Sequence, residues 1–493
     1  MSWKKAMPLR SNTSSVPRRR AGPGSLLRLV LLILLAQQAL ALPALAQSYV
    51  IRDVTVVDVE TGTHRPGQTL IIEDGTIRAM RAEPETCASD DVVTIDGTGQ
   101  YLIPGLWDMH VHSHRDRRWT YHYPLFRAFG VIGVRDAGSH LGSALAAMER
   151  ARTDPLAPHV IWGSPIIDGA PPFNSFGLSA EDEASGRILV REIRKWGFDF
   201  VKVYDRLTPE AYHGIADEAR QLGLRVEGHV PLALSPLGVV ASGQTLIDHL
   251  TLVLEACTPG ALDMVHEAQA KAPGDTDSLE LLMDDRFASA LDSYDAALCN
   301  AQFRQFADRQ VWQVPTLIEM KGYFYADDPA VTGDPRADLT SPRLLAEWQE
   351  WGNEADPAQL ANGRAVLDAQ MRMIRPMQDA GVGLLTGTDA SSEPWVFAGA
   401  SVHDELAMFV AAGLSPAEAL RTATINPMLY QGRSSEGALI APGEQADLVL
   451  LDGDPLADIS NTRRISAVFT QGQYYDRSAL DALLDAAREA AAQ

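Results

Sequence analysis

From about residue 104 to residue 434, apolar strand-like runs alternate with helix-compatible stretches, and this alternation limits the fold more than any other feature. Parallel strands need long crossovers, so a repeated strand–helix pattern calls for βα units. The first run ends in His110-Val111-His112. The others are Gly130–Arg135, His159–Ile167, Phe198–Tyr204, Arg225–His229, Gln244–Asp248, Val311–Leu317 and Val382–Gly387. Eight such runs are what a closed (β/α)8 TIM-like barrel requires. The helices between them carry their own boundaries. Thr208-Pro209-Glu210 supplies an N-cap and a first-turn proline, with Gly223 as terminator, and Ser415-Pro416-Ala417-Glu418 is a capping box.

The flanks differ. Residues 49–94 alternate short β-rich runs with turns at Gly62, Gly67 and Asp74-Gly75, the last a hairpin signal. Residues 436–475 are again strand-like. Two β-rich ends around a βα middle predict a small β-sandwich domain built from residues 47–103 plus 435–477, with the barrel at 104–434. Two helix-compatible insertions, about 256–308 and 322–375, exceed a minimal barrel. They read either as lid or rim elements over the C-terminal face, or as packing and dimer contacts. Ser478–Gln493 reads as a helix without visible chemistry.

Residues 1–46 have the plan of a signal peptide: Arg18-Arg19-Arg20, an apolar run Leu29 to Ala36, and Ala44-Leu45-Ala46 as a cleavage pattern. The apolar core is short of the roughly 20 residues that span a bilayer. Export to the periplasm or medium, with cleavage after Ala46, is the expectation. This segment holds seven Lys/Arg and no acid, so the rest carries 35 basic against 64 acidic side chains, a formal −29. That charge argues against nucleic acid or an anionic membrane as partner and leaves a small-molecule substrate, with homo-oligomerisation open. The three cysteines, Cys87, Cys257 and Cys299, contain no Cys-x-x-Cys zinc knuckle. In an exported protein two of them could pair, Cys257 with Cys299 being one conceivable choice.

The chemistry gathers at strand ends, where barrel enzymes keep their sites. Residues i and i+2 of a strand point the same way, so His110 and His112 aim two imidazoles at one place. Lys202 lies near the end of its run, and His229, His249 and Asp389 end theirs. Each has an ordinary structural reading: a hydrogen-bonded core histidine, a snorkelling lysine, an aspartate capping the next helix. Their combination at successive strand ends points to a metal centre. Tyr204, two residues after Lys202, should emerge beside it and could contact substrate or pack under the following helix. His140, Arg206, Trp395 and His403 follow strand ends or the last loop and are further candidates for lining a pocket.

On these residues, and on the closing segment around Gly437, Ile440, Pro442-Gly443 and Ala446-Asp447-Leu448-Val449, the chain from Tyr49 to Gln473 resembles the metal-dependent amidohydrolase superfamily. It is most similar to the imidazolonepropionase-like and prolidase-like branch, which includes Xaa-Pro dipeptidase relatives. The resemblance implies two divalent metal ions, zinc by expectation. His110, His112 and Asp389 would hold one, His229 and His249 the second, and Lys202 would bridge them as an N6-carboxylated carbamate. It also implies amide hydrolysis by a metal-bridging hydroxide, with Asp389 as proton shuttle and a dipeptide or N-acyl amino acid as substrate, in the manner of a dipeptidase or carboxypeptidase. A lactone, ester or cyclic amide on the same site is the alternative, and a non-catalytic metal-stabilised binding protein the third reading. Gly-x-Ser-x-Gly is absent, so a serine hydrolase finds no support.

Overall fold

Two stretches of alternating apolar residues, at opposite ends of the chain, pair into one sheet. The computed structural model describes residues 47–493 except 83–91, 175, 272–280, 391–392 and 435–438. The expected signal peptide, Cys87 and Gly437 lie outside the described residues. The sheet contains β1 (Ser48–Asp58), β2 (Thr63–Glu73), β3 (Thr76–Arg81), β4 (Val92–Asp96) and β5 (Tyr101–Pro104) from the N-terminal side. The Asp74-Gly75 hairpin forms as expected, with φ of 53° and 72° at its two residues, the left-handed pair that a two-residue turn needs. β5 joins the ends: Val56 pairs with Leu102 in parallel, and Ile103 pairs antiparallel with Val449 of a C-terminal strand. One face of the sheet buries Ile51, Val54, Leu70, Ile77, Leu448 and Phe469 in a core of its own.

The middle is built of parallel strands. β6 (Leu106–Val111), β7 (Val131–Asp136) and β8 (His159–Trp162) form one sheet. The second comprises β9 (Ile167–Asp168), β10 (Leu178–Ser179), β11 (Phe200–Val203), β12 (Arg225–Gly228), β13 (Gln244–Asp248), β14 (Trp312–Val314) and β15 (Gly383–Leu384). The C-terminal strands β16 (Leu448–Leu451), β17 (Ile465–Thr470) and β18 (Gln473–Asp476) complete the first, mixed sheet. Every residue of β6, β7 and β11 is buried, as in strands covered on both faces. Hydrogen bonds also run between the two parallel sheets at both edges. The Asp199 N–H donates to Trp162 O and the Ser164 N–H to Phe200 O on one side; the Met109 N–H donates to Thr386 O and the Asp389 N–H to His110 O on the other.

Several strands are shorter than their apolar runs. The run from His159 to Ile167 breaks at Gly163-Ser164-Pro165, where the chain crosses toward β11. Val311–Leu317 is strand only to Val314, because Thr316 turns to φ 48° and Leu317 opens a helix. Apolar residues continue past the paired segment because the loops leading into the site are themselves buried. The helix boundaries match: Thr208 caps Pro209–Leu222, which ends at left-handed Gly223, and Ser415 with Glu418 forms the capping box of Pro416–Thr422. Both insertions are largely helical, with Ala261–Lys271 and Ala296–Asp308 in the first and Pro342–Glu354 and Pro357–Asp379 in the second. Cys257 and Cys299 are disulfide-bonded, tying the loop after β13 to the Ala296–Asp308 helix. Among the described residues no helix is long and apolar enough to cross a membrane.

Candidate metal centre

His110 lies near the end of β6 and His112 is the first residue after it, and the segment after β15 brings Asp389 against them. Gly387 makes that approach possible, since a Cβ there would lie 2.3 Å from Val314 Cγ1 and 2.8 Å from His110 Cβ. Asp389 Oδ1 then lies 3.1 Å from His112 Nε2 and 3.7 Å from His110 Nε2, while Oδ2 lies 3.8 Å from His249 Nε2. His249 follows β13, its ring centre 4.5 Å from that of His110 and 4.9 Å from that of His229. One potential ligand atom from each of His110, His249 and Asp389 falls within 4.8 Å of the others. Lys202, on β11, is almost wholly buried and lines the same cavity as His112, His229, His249, Asp389 and Tyr204. The structure thus gathers all six expected ligand positions. His249, Thr316 and Asp389 all have positive φ (58°, 48° and 61°), so backbone strain is concentrated where these side chains converge.

Hydrogen bonds orient the rings. His112 Nδ1 meets Gly138 O at 2.6 Å, which only a protonated nitrogen can do, so in the neutral ring Nε2 keeps its lone pair. His229 Nδ1 lies 2.7 Å from Asp205 Oδ1, and His249 Nδ1 lies 2.7 Å from both Glu319 Oε2 and Thr316 Oγ1. Three imidazoles therefore turn Nε2 toward the cavity with Nδ1 held from behind, the arrangement that metal-ligating histidines adopt. Both ring nitrogens of His110 and Asp389 Oδ1 are buried without a well-aligned hydrogen bond, although Asp248 Oδ1 lies 3.1 Å from His110 Nδ1 and His112 Nε2 lies 3.1 Å from Asp389 Oδ1. A buried polar atom with no partner is costly, and here it is one of a set of donors suited to a divalent cation.

The electrostatics agree. Burial holds His110 down at about 3, against the pull of Asp248 and Asp389, so its ring is neutral. Burial also drives His229 well below its ordinary value, reinforced by Lys202. At His249 burial acts downward, but Glu319, Asp389 and Asp248 outweigh it and raise the pKa to about 9. Asp389 is held low because His110, His112 and His249 outweigh its desolvation. Burial thus favours neutral rings at His110 and His229, while the carboxylates around His249 favour positive charge there.

Several contributors were not anticipated from the sequence. Asp248 receives Lys202 Nζ at 2.5 Å and lies 3.1 Å from His110 Nδ1; Arg135 reaches it from β7 at 3.2 Å and Glu227 at 2.9 Å. Glu393 pairs with Tyr323 on the cavity wall, and burial, with Asp389 and Glu319 nearby, raises it to about 8. Asp205 and Asp248 were visible only as acids next to Tyr204 and His249; adjacency to a strand-end ligand was the available signal.

Tyr204 lines the cavity with its ring centre 3.9 Å from that of His229. His140 does not. Its Nδ1 accepts the Gly142 N–H at the start of the Leu141–Ala151 helix, so its side chain serves as a local N-cap in an exposed position. Arg206, Trp395 and His403 are also absent from the lining. Arg206 stacks over Phe173, Trp395 packs on Trp348, and His403 bonds Thr462 Oγ1 and Phe129 O. Trp395 and His403 find their partners away from the centre, whereas Arg206 lies on Phe173, a ring of the cavity wall.

Residues 336–474 match the model of the amidohydrolase family. A curated adenine deaminase from Rubrobacter xylanophilus (strain DSM 9941 / JCM 11954 / NBRC 16129 / PRD-1) is 24% identical over 199 residues, covering 38% of this chain and 32% of that protein. The chain thus spans about a third of that relative's length. Among solved structures, a bottromycin amidohydrolase superposes with a TM-score of 0.68 at 24% identity, covering 90% of this chain and 91% of the other. A Xaa-Pro dipeptidase with methionine bound in its active site gives 0.60 at 16%, covering 87% and 100%. These two likenesses are of fold.

Proposed function

We propose, from the premise that this chain belongs to the amidohydrolase superfamily, that it is a metal-dependent hydrolase of dipeptides or N-acyl amino acids, releasing the C-terminal residue. The observation that carries the reading is the convergence of the His110, His112 and His249 Nε2 atoms on Asp389, with the Nδ1 atoms of His112, His229 and His249 held from behind. His110, His112 and Asp389 would hold one divalent ion, His229 and His249 a second, and Lys202, N6-carboxylated, would bridge them. Zinc is the expected metal. When bound, such ions supply an acidified water and polarise a carbonyl. Asp389 accepts a proton from the attacking water and delivers it to the departing amine. Tyr204, stacked on His229 at the cavity wall, contacts the substrate. Asp205, Gly138 O and Glu319 keep the rings in the ligating tautomer.

The architecture completing this reading is a closed eight-stranded barrel at 104–434, which the bonds from β8 to β11 and from β6 to the segment after β15 support. The mixed sheet from both ends would be the small β-sandwich domain, 47–103 with 435–477. Export after cleavage at Ala46 remains part of the proposal.

The test is amine release by zinc-loaded protein from a panel of dipeptides and N-acyl amino acids, with Asp389→Asn as control. Turnover lost in the control supports amide hydrolysis. Silence across the panel, with metal bound, moves the reading to lactones and esters. One contact favours a second version of the centre: Lys202 Nζ bonds Asp248 at 2.5 Å, so an unmodified ammonium has a partner and a single metal would suffice. Metal stoichiometry and intact mass separate the two. Two ions and the added mass of one carbon dioxide support the carbamate, whereas one ion and an unmodified lysine defeat it.

A further inference from the structure

The carboxylates lining the cavity are not alike. Asp389 faces the imidazoles, Glu319 bonds His249 and Thr316, and Glu393 bonds Tyr323. Glu255 lines the same cavity, is only 6% exposed, and among the described residues its carboxylate has no ion pair and no hydrogen bond beyond its own backbone N–H. Arg286, which shares a smaller adjoining cavity with Glu255, is bonded to Asp284. Gln370 also lines the main cavity, from the Pro357–Asp379 helix; it is 2% exposed, and its Oε1 is buried with no partner. Among the described residues two buried acceptors thus border the cavity without a donor from another residue, and a buried carboxylate without a cation is costly. Burial accordingly pushes Glu255 up to about 7.

The position of Glu255 is well defined. Cys257, two residues on, is disulfide-bonded to Cys299, and Gln302 Nε2 donates to Val253 O at 3.1 Å. The loop is therefore held on both sides of Glu255. Val265, Leu281 and Leu282 of the same inserted segment line the cavity with it. An aliphatic wall with acceptors beside it complements a side chain with an apolar stem and a charged nitrogen at its tip.

We infer that Glu255, assisted by Gln370, selects amide substrates with a cationic side chain, an alkylammonium or alkylguanidinium whose stem lies along Val265, Leu281 and Leu282. This rests on the amide-hydrolase reading for its turnover assay only. Charged hydrogen bonds of this kind discriminate by roughly ten- to a hundredfold.

The experiment measures kcat/KM of the zinc-loaded enzyme on matched pairs: Ala-Lys against Ala-norleucine, Ala-Arg against Ala-citrulline, and the reversed dipeptides. The expected result is a preference for the charged member of at least one pair by about tenfold or more. Glu255→Gln should collapse that ratio, and Gln370→Met should reduce it by about threefold. Equal rates within every pair, or a ratio unchanged in Glu255→Gln, overturn the inference. If no dipeptide is cleaved, calorimetric titration with n-butylammonium and n-butylguanidinium takes over. Binding that Glu255→Gln abolishes sustains the charge selection while the amide reading fails, and no binding to the wild-type protein overturns the inference.

Discussion

The two sides of the cavity are built on different principles. On the metal side every side chain comes from a strand end, and the imidazoles of His112, His229 and His249 each have a second partner fixing the ring. On the opposing wall the residues come from inserted segments: Val265 and Leu281 from the first, Tyr323 and Gln370 from the second. There Val265, Leu281 and Leu282 are aliphatic, and among the described residues the Glu255 carboxylate and the Gln370 carbonyl have no partner from another residue. Strand ends give the precision that a ligand set needs, whereas insertions can vary without disturbing it. On the proposed function, the contrast would assign chemistry to the strands and substrate choice to the insertions.

The largest expected effect is at the centre. Asp389→Asn should lower kcat by about 10²- to 10⁴-fold, the range for loss of a positioned proton acceptor, in steady-state assays on the best substrate. A loss confined to KM would place Asp389 outside the chemistry. Asp205→Asn leaves every ligand in place but frees the His229 ring, so metal affinity in a chelator-competition titration should fall about 10- to 100-fold. Unchanged affinity would mean that His229 does not ligate.

In the loop between β9 and β10, outside both insertions, Phe173→Ala removes a 44%-exposed ring from the cavity lining, stacked 5.9 Å from Tyr204. KM should rise about 3- to 10-fold with kcat nearly constant. A fall in kcat instead would break the division of labour.

The smallest effect concerns stability. The Glu255 carboxyl, raised to about 7, binds its proton more tightly in the folded chain than in the unfolded one. Its contribution is therefore fully present below its ordinary value near 4.5 and is lost as pH rises through about 7. Glu255→Gln should raise Tm by about 2 °C at pH 8 and by less at pH 5 in thermal melts. An equal change at both pH values would show that the carboxylate is not buried without a partner.

How much of this could be read in advance differs residue by residue. His110 and His112 were legible because strand periodicity alone sets two side chains on one side. His229, His249 and Asp389 were legible because each ends an apolar run. The paired ends of the outer sheet were legible from their turns, with Asp74-Gly75 forming the hairpin it encodes. His140 caps its own helix, which a strand-end loop position in the sequence does not reveal. Asp248 was passed over because its importance depends on Lys202, 46 residues earlier, and on Arg135, 113 residues earlier.

By itself, the sequence determined the elements, their order and the set of groups able to ligate, since local periodicity and capping act over a few residues. Only the tertiary structure decided which ring nitrogen faces the cavity, which carboxylate lacks a partner, and which insertion supplies each wall. Those outcomes depend on contacts between residues far apart in the chain, such as Thr316 with His249 and Gly387 with His110, whose geometry exists only once the strands have been brought together.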